Sequence, residues 1–169
     1  MMKRKSCLFV LFPFFVFALS ACAVGGAKFM GTTLDPRDIS IIKADKGEHT
    51  YNTKFFSIQY NYIVDADNKR LILDGVITCL LDPTTHPLGA VLNRLTYNEI
   101  YIWVLFTNKT GRVIDVQKIR LSPSTQIFIP VNFTRALSFL PACHGISMRM
   151  SVFMRDGLNM IDTHALDYS

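Results

Sequence analysis

Apolar and polar residues alternate with a period of two over much of the chain beyond residue 55, which is the pattern of strands that bury one face. The clearest case is 146–154, where isoleucine, valine and methionine alternate with Ser147, Arg149 and Ser151. The period predicts seven strands, at 56–64, 70–81, 97–106, 114–121, 127–133, 146–154 and 158–162. A change of phase near Gln117 and Lys118 predicts a β-bulge there. Pro130 lacks an N–H, so we expect 127–133 to be an edge strand.

Turn-forming residues separate these strands. Residues 65–69 and 108–111 are rich in Asp, Asn and Gly, and Asp156-Gly157 is typical of a tight hairpin. Helical content looks small. A helical spacing of leucine and valine predicts a short helix over 88–95. Asp35-Pro36 resembles a helix start. Residues 134–140 could form one or two helical turns.

Strands at this spacing predict an all-β fold, an antiparallel β-sandwich of about seven strands of the Ig-like or transthyretin-like kind. An up-and-down β-barrel is the alternative. The chain has 169 residues and no internal repeat, so we expect a single sandwich domain over 34–169. Its predicted apolar faces are sufficient for a folded core, and no cofactor is needed for stability.

The N-terminus has the layout of an export signal. Three basic residues (Lys3, Arg4, Lys5) precede an apolar run that extends to Ala21. This run is shorter than the roughly 20 residues that a membrane-spanning helix needs, and Pro13 interrupts it. We therefore interpret residues 1–21 as a signal peptide that is removed.

The end of this signal, Leu19-Ser20-Ala21-Cys22, resembles the lipobox of bacterial lipoproteins. The resemblance implies cleavage before Cys22, attachment of a diacylglyceryl group to its thiol, and membrane attachment through this lipid. Residues 22–33 would then be the lipidated N-terminus and a glycine-rich flexible tether. Ala23, rather than Asp, follows the cysteine, so the resemblance favours the outer membrane, facing the periplasm; the outer leaflet of the inner membrane is the alternative.

Charge excludes one class of partner. The formal charge of +5 falls to +2 when the three basic residues of the signal are removed, and no basic cluster remains. A nucleic-acid-binding surface needs such a cluster, so we expect no nucleic acid partner.

Two cysteines remain in the mature domain, Cys79 and Cys143. An even pair in an oxidising compartment is a candidate disulfide. The alternative is that they are two buried thiols that pack as small hydrophobic side chains.

Candidate chemistry is sparse. The four histidines (His49, His86, His144, His164) have no metal-ligand spacing, and the loop after Asp65 lacks the residues of a calcium loop. Neighbours in an extended chain point apart, so Cys143 and His144 are poor candidates for a nucleophile and its base. We expect no metal, no cofactor and no enzymatic activity.

The strand at 97–106 has apolar residues on both faces, with Tyr97, Tyr101 and Trp103 on the second face. Such a strand is either central and covered on both sides, or it presents an exposed aromatic surface to a partner. Together these features predict a membrane-anchored, non-enzymatic envelope lipoprotein that acts through contacts with another envelope protein, in a structural or assembly role. A binding module for a small apolar ligand or an envelope glycan is the alternative, and an envelope hydrolase is the least favoured.

Overall fold

The structure is a computed structural model that describes residues 28–42, 45–82, 84–85, 94–155 and 159–162. The predicted signal peptide, Cys22, most of the predicted helix over 88–95 and the predicted Asp156-Gly157 turn lie outside these residues. Nine strands lie within the described residues: β1 Ser40–Ile41, β2 Lys46–Asn52, β3 Phe56–Asp65, β4 Arg70–Cys79, β5 Tyr97–Thr107, β6 Val113–Leu121, β7 Val131–Ser138, β8 Gly145–Met154 and β9 Asn159–Asp162.

These strands form two antiparallel sheets that pack face to face. One sheet has the order β6-β5-β8, with β1 and β9 both paired to the outer edge of β8. The other has the order β2-β3-β4-β7. We call them the five-stranded and the four-stranded sheet. The predicted all-β sandwich is confirmed.

The core forms where the inward faces of the two sheets meet. Large side chains of β3 (Phe56, Ile58, Tyr60) lie opposite those of β5 and β8, and all are almost fully buried in one continuous cluster. Burial of such side chains stabilises the fold by about 1.5–3 kcal/mol each.

Two predicted turns are confirmed, both by a residue with positive φ and one also by its hydrogen bonds. Gly111 has a φ of +77°, and the Asn108 side-chain oxygen accepts hydrogen bonds from the backbone N–H groups of Thr110 and Arg112. Lys69 has a φ of +52° in the turn between β3 and β4. The turn chemistry therefore sets the register of both hairpins.

Strand β2 was not predicted, because few of its residues are aliphatic. Its inward positions are Gly47, His49 and Tyr51, and the His49 ring stacks on Tyr62 of β3 with ring centroids 5.7 Å apart. Aromatic stacking here replaces aliphatic burial, so the hydropathy pattern gives little signal. β1 is too short to give one.

The region 127–140 differs from the prediction in two ways. Residues 127–130 form a turn, in which Ile127 is fully buried, and β7 begins at Val131. The predicted helical turns over 134–140 are wrong, because Thr134 lies within β7 and pairs with Asp74. β7 is an edge strand, as Pro130 predicts, and the edge position leaves Arg135 exposed and obscures the alternation.

The predicted bulge near Gln117 and Lys118 is also wrong, because β5 and β6 pair in continuous register there. The irregularity lies between Phe106 and Thr107, opposite Ile114. Gln117 faces inward at the sheet edge, where its amide donates to the Ser138 carbonyl at 2.7 Å and accepts from the Ser138 N–H at 2.9 Å. A polar residue at an inward position therefore caused the apparent change of phase.

Residues 31–41 form a segment that we call the strap. The Gly31 N–H donates to Val113 of β6 at 3.0 Å, and the strap ends as β1, paired with β8. A 3-10 helix, Pro36–Asp38, lies between them, and Asp35 caps its N-terminus as predicted. Residues 31–33 are thus part of the domain, and assigning them to the flexible tether was wrong.

The strap crosses the outer face of the five-stranded sheet. Gly145 allows this close approach, because a Cβ atom there would lie 2.4 Å from Cγ2 of Ile39. Asp38 of the strap forms an ion pair with Arg149 of β8, N to O 3.3 Å. The strap connects the N-terminal segment to the end of the sandwich that holds the β5–β6 turn, which we call the hairpin end.

Candidate interaction surface

Part of the outer face of the five-stranded sheet, beyond the strap, carries a partly exposed group of aromatic side chains. The group contains Tyr101 and Trp103 of β5 and Phe153 of β8. Tyr101 lies 5.5 Å from Phe153 in an edge-to-face arrangement and 6.1 Å from Trp103, centroid to centroid. We call these three residues the aromatic cluster.

Charged side chains from the sheet surround the aromatic cluster. Lys118 is opposite Trp103 on β6, and its Nζ lies 3.6 Å from the centre of the Tyr101 ring and 5.6 Å from that of Trp103. Glu99 accepts hydrogen bonds from the Tyr101 hydroxyl and from Arg120. Tyr101 thus contacts a cation on its ring face and a carboxylate at its hydroxyl.

The same contacts shift the ionisation of this group. The Tyr101 hydroxyl and then the Arg120 guanidinium hold the pKa of Glu99 below its usual value. The Glu99 carboxylate in turn raises the pKa of Tyr101. The carboxylate is thus favoured in its charged form, and the surface carries two cations around one anion.

Tyr97 does not belong to this surface, so its assignment there was wrong. It is fully buried, and its hydroxyl donates to the Ile127 carbonyl at 2.7 Å. The β5–β8 register shifts between Tyr97 and Glu99, which moves Tyr97 from the outward to the inward phase. Sequence alternation alone does not show this shift.

Both earlier readings of β5 hold in part. β5 is central in its sheet, and Leu105 on its outward side is fully buried, as expected for a strand covered on both faces. Tyr101 and Trp103, further along the same side, stay partly exposed. Sequence analysis missed Glu99, Lys118 and Arg120 as part of the site. The signal for Lys118 and Arg120 was their charge at alternate positions of β6, and Glu99 lies two residues before Tyr101 on β5 itself.

Cys79 and Cys143 are free thiols in this structure, so the predicted disulfide is wrong. Cys79 pairs with Phe56, whose ring lies 6.4 Å from that of Tyr97 at the start of β5. Cys143 precedes His144, whose backbone N–H donates to the Thr107 carbonyl at the other end of β5. Ten residues of strand, about 33 Å, separate Tyr97 from Thr107. Burial raises the pKa of both thiols, as expected for side chains that pack as small hydrophobic groups.

The described histidines are not brought together. His49 stacks in β2, whereas the backbone N–H of His144 donates to Thr107 at the hairpin end; His86 and His164 lie outside the described residues. In the part of the chain that the structure describes, no group of three or more His, Cys, Asp or Glu side chains is placed to hold a metal ion. The described residues likewise include no helix with the length and hydropathy of a membrane span.

The chain was compared with known proteins in three ways. No family model matches it, and neither the curated proteins nor the solved structures gave a significant match.

Proposed function

We propose that this protein is a lipid-anchored, non-enzymatic component of a bacterial cell envelope that acts by binding another envelope protein. The anchor would be the lipid on Cys22, most simply in the outer membrane on its periplasmic side, and the bound surface would be the aromatic cluster. The role is structural or assembly-related, because the site offers contacts and no reacting groups.

The connection between tether and domain supports this arrangement. Cys22 precedes Lys28 by six residues, which span at most about 20 Å when extended. The strap then binds β6 at Val113, so a lipid on Cys22 would hold the hairpin end close to the membrane. The aromatic cluster lies on the side of the sandwich, several residues of β5 away from that end, where a neighbouring protein can reach it.

The aromatic cluster is the observation that carries the proposal. Trp103, the only tryptophan of the chain, lies partly exposed on a central strand together with a tyrosine and a phenylalanine. Tryptophan, tyrosine and arginine are the residues that most often dominate binding energy at protein interfaces. The rigid sheet and the contacts of Lys118 reduce the entropy that a partner would have to overcome.

Crosslinking in intact envelopes tests this proposal. A photo-reactive amino acid at Trp103 should give a defined crosslinked species with a second protein, and the same group at Ile63, which is 53% exposed on the opposite sheet, should not. The variant Trp103→Ala should stay folded, because its side chain is only partly buried, and should lose the partner. Unfolding of that variant, or equal crosslinking from both positions, would contradict the proposed surface.

A further inference from the structure

The outer face of the four-stranded sheet carries two adjacent rows of polar side chains. In the first, Glu48, Asn61, Asp74 and Thr134 pair across the four strands. In the second, Thr50, Gln59, Val76 and Asn132 do so. All of these side chains except the half-buried Val76 are exposed.

A groove of about 310 Å³ lies among these rows. Its floor includes Gly75, which contributes only backbone there. On the inner side of β4, a Cβ at Gly75 would lie 2.8 Å from the Phe133 ring and 2.7 Å from the Gln59 carbonyl oxygen, so only glycine fits. The volume is at the lower end of the range for small-ligand sites.

The side chains of the groove suit one kind of ligand. Three carboxamides (Gln59, Asn61, Asn132) and two carboxylates (Glu48, Asp74) line it, and none of the described lysines and arginines does. Carboxamides both donate and accept hydrogen bonds, as do the hydroxyl groups of a sugar. Lys46 lies on the same face, opposite Ile63 in the row beside the groove, but it does not line the groove, so the lining itself disfavours an anionic ligand.

Two further features favour a neutral ligand over a cationic one. Asp74 accepts a hydrogen bond from the Thr134 hydroxyl at 2.6 Å, so one of its carboxylate oxygens already has a donor within the protein. Beside the groove, a row of exposed or half-buried aliphatic side chains (Ile63, Ile72, Ala136) pairs across β3, β4 and β7. Such a strip suits the C–H face of a sugar ring.

We propose that this groove is a binding site for a neutral saccharide, with the three carboxamides as the main hydrogen-bonding groups. The site is on the sheet opposite the aromatic cluster. The saccharide site depends neither on the lipid anchor nor on the protein partner. It can therefore be absent while the proposed function holds, and the proposed function can fail while the saccharide binds. If both hold, the protein would bind a glycan on one face and a protein on the other.

Nuclear magnetic resonance titration of the complete mature chain tests the site. The chain would carry Cys22→Ser, which leaves every described residue in place and keeps the test separate from lipidation. Trisaccharides of glucose, galactose, mannose and N-acetylglucosamine are added in turn up to 20 mM, together with a hexalysine peptide as the cationic probe. At least one saccharide should shift the side-chain amide signals of Gln59, Asn61 and Asn132, and these shifts should reach saturation as its concentration rises.

Three variants sharpen the result. Asn61→Ala should weaken saccharide binding about tenfold, the loss expected for one hydrogen-bonding group. The matched control is Asn52→Ala. Asn52 lies on β2 and faces the same side of the sheet as Asn61, but it is outside the groove, so saccharide binding should be unchanged. Asp74→Asn should change saccharide binding only a few-fold.

Several outcomes would overturn the proposal. Absence of shifts with all four saccharides would do so. Binding of hexalysine alone, lost in Asp74→Asn and in 0.5 M salt, would identify a site for cationic ligands instead. Equal weakening by Asn61→Ala and Asn52→Ala would show that the groove is not where the saccharide binds. The spectra themselves report whether each variant is folded.

Discussion

Arg149 should be one of the side chains on which the stability of the domain depends most. It is 4% exposed although it points away from the core. Its guanidinium donates to the Tyr51 hydroxyl at 3.2 Å, the Ser147 hydroxyl at 3.1 Å and the Met148 carbonyl at 2.7 Å, and it pairs with Asp38. One side chain therefore joins the strap, the five-stranded sheet and β2 of the four-stranded sheet.

The expected magnitude follows from burial. Removing one partner of a buried ion pair costs about 3–5 kcal/mol, because the remaining charge loses that interaction while it stays partly desolvated. The Asp38 side chain is 21% exposed, so water can partly solvate it, and we expect the lower end of that range. Arg149→Met should therefore lower the free energy of unfolding by about 3 kcal/mol. This corresponds to a fall in melting temperature of about 6–12 °C for a domain of this size.

Equilibrium unfolding in urea, monitored by circular dichroism, measures this loss for Arg149→Met, Asp38→Asn and the double variant. The double variant should be at least about 1 kcal/mol more stable than the sum of the single effects predicts, since both charges are then gone. Arg149→Lys keeps the charge but loses the planar fork, and should be intermediate. The reasoning is refuted if the free energy of unfolding of Arg149→Met lies within about 0.5 kcal/mol of the parent value, a difference typical of surface substitutions. It is also refuted if the two single effects are additive.

Three further predictions concern packing and ionisation. Gly75→Ala should destabilise the domain by about 1–3 kcal/mol through overpacking, whereas Val76→Ala next to it, which faces outward, should cost less in the same urea assay. Burial raises the pKa of Tyr60 from 10.0 to about 12, so its contribution to stability is complete below pH 10 and is lost as the pH rises towards 12. The loss of unfolding free energy over this pH range, about 2–3 kcal/mol, should be smaller in Tyr60→Phe than in the parent. Identical pH profiles of the two proteins would contradict this prediction. Cys79 and Cys143 should react with a thiol reagent equally before and after reduction, and slowly at pH 8 because both pKa values are raised; labelling only after reduction would show that they pair.

Much of the fold could be predicted from the sequence because most inward positions are aliphatic or aromatic and lie in a regular period. The alternation in β8 and the glycine at 111 each determine local structure that tertiary contacts do not override. Prediction failed where a polar residue occupies an inward position. Gln117 does so because its amide bonds Ser138, and His49 does so because it stacks on a tyrosine.

The candidate sites were less accessible to sequence reasoning, because they depend on register between strands. Tyr101 and Trp103 could be found from one strand, but Lys118 and Arg120 join them only through the β5–β6 pairing. The saccharide groove needs residues from four strands, and no single segment of the sequence carries its pattern. Arg149 has the ordinary outward phase of β8, and that phase does not show its contacts with Asp38 of the strap and Tyr51 of β2.

The mass of the mature N-terminus tests the central proposal most directly. The protein would be isolated from the membrane fraction of its own cells, and its N-terminal peptide analysed by mass spectrometry. We predict that the chain begins at Cys22 with a diacylglyceryl group on the sulfur, and that Cys22→Ser abolishes this modification and membrane retention. A mature chain that begins elsewhere, carries no lipid and is recovered from the soluble fraction would contradict the proposal.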